Sequence, residues 1–196
     1  MVVKLCARGV HISYAEDELK VILPCSDTGT TTKFQDHFSA SDNSFTGLIN
    51  RLPTISTERQ INTLALDYYI LVKPGERPDI HKGKKWISFA EAIQYQDELS
   101  SLLEAALKKL KEDLNYQPIE YHLLPGKFTM KELRVLYELI LGKKLDRGNF
   151  ARKMGIADFL QPEGLKTDAE STKAPMLYTF NQNYFRKTEQ GLFKEF

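Results

Sequence analysis

Two periods of apolar residues divide this 196-residue chain, one near two in its N-terminal third and one near 3.6 through much of the remainder. Residues 2–7 and 9–14 mix β-branched and polar side chains, pause at Ala15, Glu16, Asp17 and Glu18, and resume at 19–23. An acidic turn between two apolar runs predicts a hairpin. Residues 24–50 are rich in Ser, Thr, Asp and Asn, with scattered anchors such as Phe34, Phe38, Phe45, Leu48 and Ile49, and read as loop with one short element at most. A strong strand signal follows at 61–72, where Leu64, Leu66, Tyr68 and Ile70 alternate on one face before Pro74 and Gly75 stop the run. It reads as a central strand.

After Trp86, Ile87 and Ser88, a short helix is expected from Phe89, with Ser88 and Glu91 in capping-box positions. A long helix starts near Asp97. Leu99, Leu102, Leu103, Ala106, Leu107, Leu110 and Leu114 recur at helical spacing opposite Glu104, Lys108, Lys111 and Glu112, which makes it a packing helix. Residues 118–126, punctuated by Pro118, Pro125 and Gly126, read as a junction between domains. Beyond it Thr129 and Glu132 form a capping box ahead of Leu133, Leu136, Tyr137, Ile140 and Leu141, and Gly142 closes that helix. Asp146 can cap a second helix, which Gly155 ends. Two short helices joined by a tight turn are a helix-turn-helix, and the two strands expected at 159–167 and 175–180 add a wing. The tail from Asn181, with Tyr184, Phe185, Phe193 and Phe196, carries too many aromatics to be a solvated end.

Composition changes this picture only when it is divided. The whole chain has net charge +1 and gives no hint of a nucleic-acid partner. Residues 1–118 carry 14 basic and 16 acidic side chains, whereas 119–196 carry 13 and 10. Between Lys127 and Lys153 the balance reaches +5. A cluster of that sign around helix N-termini suits phosphate, because cations and unpaired N–H groups both favour an anion there. Charge alone favours a merely solvated helical face; the helix-turn-helix and the wing together reverse that preference toward DNA. Arg147, Asn149, Arg152 and Lys153 are the groove-facing candidates, since Arg pairs with guanine and Asn with adenine through two bonds each. Lys127, Lys131, Arg134, Lys143, Lys144 and Lys173 would set the phosphate register. Leu136, Tyr137, Leu145 and Phe150 are expected in the core.

Other chemistry is thinly represented. Cys6 and Cys25 belong to no CxxC or Cys/His cluster, and His11, His37, His81 and His122 are scattered, so neither a disulfide framework nor a structural metal site is expected. The longest apolar stretch, 64–72, is too short to span a bilayer and is interrupted by Asp67, and a soluble, cytoplasmic protein is expected. Trp86 and Tyr68 or Tyr69 are assigned to the sheet core in preference to stacking on a ligand. Asp27 and the threonines at 30–32 are assigned to a surface loop.

Residues 128–138 (FTMKELRVLYE) and 140–154 (ILGKKLDRGNFARKM) closely resemble the C-terminal winged helix of the Nudix-related bacterial transcriptional regulators, whose branches control NAD biosynthesis or sugar catabolism. The resemblance continues upstream through 121–125 and downstream to Pro175 and 177–180. Residues 3–23, 64–72 and 86–114 look like the first hairpin, a later core strand and the closing helix of a Nudix domain. The Nudix box, whose carboxylates hold the metal ions of the hydrolases, is missing. Residues 24–60 offer only Asp27, Asp36, Asp42 and Glu58, at no helical spacing, and look too short for the box helix.

The resemblance therefore implies an α+β protein: a shortened, non-catalytic Nudix-like α/β sandwich at 1–118, then a winged helix at 119–196. It implies a homodimer on a pseudo-palindromic duplex DNA operator. It also implies a small-molecule effector, ADP-ribose-like or a sugar, with no membrane partner and no cofactor. A divergent Nudix hydrolase is the alternative. Two departures concern DNA: Gly148 stands where relatives carry a basic residue, and the wing tip has Asp168 and Glu170 where relatives are often rich in Gly and Arg.

Overall fold

The acidic turn closes a hairpin of β1 (Val3–Ala15) and β2 (Glu18–Pro24), with Glu16 and Asp17 both left-handed at φ 56° and 57°. A two-residue loop with both residues at positive φ twists in the sense its strands require. Tyr14 Oη donates to Asp17 Oδ1 at 2.9 Å, and Lys20 pairs with Glu18 at 2.8 Å and Glu16 at 3.4 Å, so the turn is held from both sides. The structure is a computed structural model that describes residues 3–24, 45–56, 61–74, 84–94, 98–166, 174–181 and 184. Asp27, Asp36, Asp42 and Glu58, together with the threonines at 30–32, lie outside the described residues.

Among the described residues the hairpin joins β3 (Phe45–Ser56), β4 (Ile61–Val72) and β5 (Lys84–Ser88) in one sheet, ordered β3-β4-β1-β2-β5. β1 and β4 run parallel and the other neighbours antiparallel. Leu71, Ile12, Val21 and Ile87 lie side by side across four strands, and all four are buried in the core. The expectation for β4 is met in position, since it lies inside the sheet. Both of its faces are buried near its end: Tyr69 and Leu71 enter the joint core, and Ile70 and Val72 are buried on the other side.

Two expectations fail here. Residues 45–50, read as loop, begin β3; it is an outer strand with an irregularity between Leu48 and Asn50, and such strands tolerate Pro53 because one edge needs no ladder partner. The helix α1 (Phe89–Ala92) forms, but Ser88 makes no side-chain cap bond. Ser88 is still a strand residue, paired with Lys20, and the helix is a single turn.

The long helix α2 (Glu98–Asp113) lays Leu102, Leu103, Ala106 and Leu110 into the core, with Leu114 just beyond its end. Tyr69 Oη donates to Asp113 Oδ2 at 2.7 Å and Lys109 reaches Oδ1 at 2.6 Å, which ties the end of α2 to β4. The expected junction contains a helix, α3 (Ile119–Leu123), whose Ile119 and Leu123 are fully buried. Then follow β6 (Phe128–Thr129), α4 (Met130–Leu141), α5 (Arg147–Ile156), β7 (Leu160–Leu165) and β8 (Met176–Phe180). β8 lies between β6 and β7, antiparallel to both. The wing is present, and its tip at 167–173, including Asp168, Glu170 and Lys173, lies outside the described residues.

One buried cluster runs from the sheet through α2 into α3, α4 and α5. Two polar contacts reinforce it: Lys73 Nζ lies 3.9 Å from the centre of the Tyr121 ring, and Lys131 Nζ lies 3.4 Å from Asp17. Tyr184 of the aromatic tail is fully buried, as its composition foretold; Phe185, Phe193 and Phe196 lie outside the described residues.

Candidate nucleic-acid interface

The helix-turn-helix is built from local bonds that the sequence specifies. Thr129 Oγ1 accepts from the Glu132 N–H at 3.2 Å while the Glu132 carboxylate accepts from the Thr129 N–H at 2.6 Å, closing the expected capping box. Gly142 ends α4 at φ 70°, a left-handed position where a side chain would be strained. Glu138, buried although charged, organises the turn. Its Oε1 accepts from the Leu145 N–H at 2.9 Å and from Arg134 at 2.5 Å, and its Oε2 from Lys144 at 3.3 Å. The Leu145 N–H, with Lys144 and Arg134, holds the Glu138 carboxyl below the usual carboxylate range. The angle between α4 and α5 is thereby set by a charged clamp as well as by packing.

Asp146 caps α5 as expected, its Oδ1 accepting from the Asn149 N–H at 2.8 Å. Phe150 and Met154 face the core, where Phe150 meets Tyr137 edge-on at 5.4 Å. Steps of 100° place Gly148, Arg152 and Ile156 in one row on the opposite, outer face. Gly155 does not end the helix. It lies inside α5, which runs on to Ile156, and the left-handed residue that follows is Asp158 at φ 51°. A methyl group at Gly155 would meet nothing within 4 Å. Gly155→Ala is therefore expected to raise stability by about 0.5–1 kcal/mol, read as a higher urea midpoint at unchanged slope. Gly148 stands in the first turn and not mid-helix, so its own cost is smaller than a mid-helix glycine implies.

The basic candidates divide into two groups. Lys127 pairs with Glu163 at 3.2 Å, Lys131 with Asp17, and both Arg134 and Lys144 with Glu138. Lys127, Lys131 and Lys144 remain well exposed, and such surface pairs exchange readily for another anion. Arg134 is different: only 23% of its side chain is exposed, and its guanidinium also reaches the Leu145 carbonyl at 3.4 Å. Its geometry serves the turn. Lys143, Arg147, Asn149, Arg152 and Lys153 are all exposed, and among the described residues Arg147 and Arg152 carry no ion pair. Lys173 lies outside the described residues. Arg147 also shares with Lys131 and Arg134 the rim of a cavity of about 640 Å³ between α4, α5 and the wing, floored by Met154, Leu160 and Tyr178.

Because the helix runs past Gly155, it also carries Ile156, which follows Arg152 by four residues and is exposed.

Among the described residues no helix is long and apolar enough to cross a membrane. The architecture is a mixed α/β domain of Nudix type joined to a winged helix. Comparison places both parts. Residues 120–180 match the family model of the NrtR DNA-binding winged helix domain. Over 72 residues the chain is 31% identical to the ADPR responsive transcriptional repressor NtrR of Acinetobacter baylyi; this stretch is 36% of the chain and 29% of that repressor. The fold as a whole matches NrtR of Shewanella oneidensis, solved in complex with a 27mer DNA, at TM-score 0.72 and 20% identity over 97% of this chain and 98% of that one. It also matches a MutT/nudix family protein of Enterococcus faecalis at TM-score 0.63 and 14% identity, over 93% and 89% of the two chains. The chain is thus similar to the Nudix-related transcriptional regulators, in sequence over its NrtR-type winged helix and in fold throughout.

Proposed function

We propose that this protein is a cytoplasmic DNA-binding transcriptional regulator in which residues 119–196 bind an operator and residues 1–118 sense a small metabolite without hydrolysing it. One observation carries the reading: within the stretch that matches the NrtR winged helix, the helix after the turn turns Arg152 outward, exposed and opposite a buried Phe150 and Met154. That is how a recognition helix presents a side chain to the major groove. Arg147, Asn149 and Lys153 flank it, and Lys127, Lys131, Lys143 and Lys144 supply phosphate contacts. A homodimer would place two such helices on a pseudo-palindrome. The response of the Acinetobacter relative to ADPR supports an ADP-ribose-like effector for the Nudix-like domain.

Two measurements test this. Binding to duplex DNA should weaken steeply with salt, with a log–log slope near −4 for each protomer that makes four to five phosphate contacts. Arg152→Ala should weaken binding to the preferred sequence by about 10- to 100-fold, the range of one good base contact, and relax the preference at one position. A protein that retains no duplex at low salt is not a DNA-binding regulator. The likeness to the Enterococcus Nudix protein favours a hydrolase as the second reading. Magnesium-dependent release of products from ADP-ribose, abolished by a single carboxylate substitution, would support it.

A further inference from the structure

Ile156 is 72% exposed at the end of α5, whereas the other large apolar side chains of that helix, Phe150 and Met154, are 2% and 1% exposed. An exposed isoleucine is by itself ordinary. Its place is not: it follows Arg152 by four residues, on the same outward row, where helical side chains stand one above the other. Around that row the helix is bare at two positions. Gly148 opens the row, and a methyl there would meet only the Asp146 carboxylate at 3.5 Å; Gly155 beside Ile156 has open space around it. A helix stripped of side chains in this way can bring its backbone close to the floor of a major groove, so a short branched side chain reaches base edges.

We infer that Ile156 reads the 5-methyl group of a thymine in the major groove, about two base-pair steps from a guanine read by Arg152. The chemistry distinguishes the bases. Thymine alone among the four presents a methyl group there, while cytosine presents an amino donor that an isoleucine would bury without an acceptor. Four helical residues rise about 6 Å, against 3.4 Å per base-pair step, so the two bases should lie about two steps apart. The inference rests on the DNA-binding reading and adds a base and a spacing to it.

The test uses duplexes that the wild-type full chain selects from a random-sequence pool. Each thymine of a selected duplex is replaced in turn by deoxyuridine, which removes only the methyl group, and affinity is measured by fluorescence anisotropy for wild type and Ile156→Ala. One replacement, about two steps from a conserved guanine of the selected set, should weaken wild type about fourfold, as expected for one buried methyl, and leave Ile156→Ala unchanged. Ile156→Val should retain most of the discrimination. Equal sensitivity of wild type and Ile156→Ala at every thymine would overturn the assignment, as would an Ile156→Ala variant that changes self-association but not affinity. Failure to select any duplex at low salt is a separate result, which removes the DNA-binding reading and this inference together.

Discussion

Glu120→Ala should lower the midpoint of thermal unfolding by roughly 10 °C, equivalent to about 3 kcal/mol for a chain of this size. Glu120 is completely buried at the start of α3. Its Oε1 accepts from Tyr137 of α4, and its Oε2 accepts from Tyr184, beyond the wing, at 2.7 Å. One carboxylate therefore ties together segments 17 and 64 residues away. Alanine removes the acceptor that both hydroxyls share and leaves a void among packed rings, and each loss costs on the order of 1–3 kcal/mol. Glu120→Gln keeps the shape and one carbonyl acceptor and should lose about half as much. Tyr184→Phe keeps the Tyr137 bond and should cost about 1–2 kcal/mol. Because Tyr137 packs edge-on against Phe150 of α5, a loosened Glu120 also loosens α5, and under the proposed function DNA affinity should fall with stability. A Glu120→Ala protein that melts within a degree or two of wild type would show that the carboxylate is not the tie.

The elements that the sequence foretold are those written in a few adjacent residues. The Thr129/Glu132 box, the Asp146 cap, the Gly142 stop and the acidic hairpin turn each rest on contacts within four residues, and each is present. The elements that escaped depend on distant partners. Residues 45–50 carry little pattern of their own and become strand by pairing with β4. Tyr184 could be read as a residue that packs, but its acceptor lies on a helix inside a stretch read as a junction. Net charge conceals pairing in a different way. Arg134 and Lys144 raise the count of cations in the C-terminal part of the chain, and both converge on Glu138. The Arg134–Glu138 spacing of four residues was open to reading as an ion pair within α4. A sum over a segment records how much charge is present and nothing about which charges neutralise one another.

Between pH 10 and 12 the protein should lose its fold cooperatively, and buried tyrosines should be the cause. Burial raises Tyr14, Tyr69, Tyr137 and Tyr184 above their ordinary value of 10.0, and the neighbouring carboxylates, Asp17 for the first, Asp113 for the second and Glu120 for the other two, raise them further. In the unfolded chain these hydroxyls ionise near pH 10. Below that value both states hold the protons and the full stabilisation is present. Above it the unfolded state gives up protons that the folded state still binds, so stability falls as pH rises. The slope is about 1.4 kcal/mol per pH unit for each tyrosine, or about 5.5 kcal/mol per unit for four, against a total of 5–15 kcal/mol typical of folded domains. Exposed tyrosines ionise alike in both states and add nothing. Urea midpoints measured from pH 8 upward should be flat to about pH 9.5 and then drop, and the tyrosinate absorbance beyond that of the exposed tyrosines should appear in step with unfolding. Tyr69→Phe leaves Asp113 its 2.6 Å partner Lys109 and should reduce the alkaline slope by about a quarter. Tyrosinate absorbance from Tyr137 and Tyr184, identified by its loss in the Tyr137→Phe and Tyr184→Phe variants, that grows while the fold stays intact would mean that these hydroxyls reach solvent in the folded protein, and the buried Glu120 tie would fall with them.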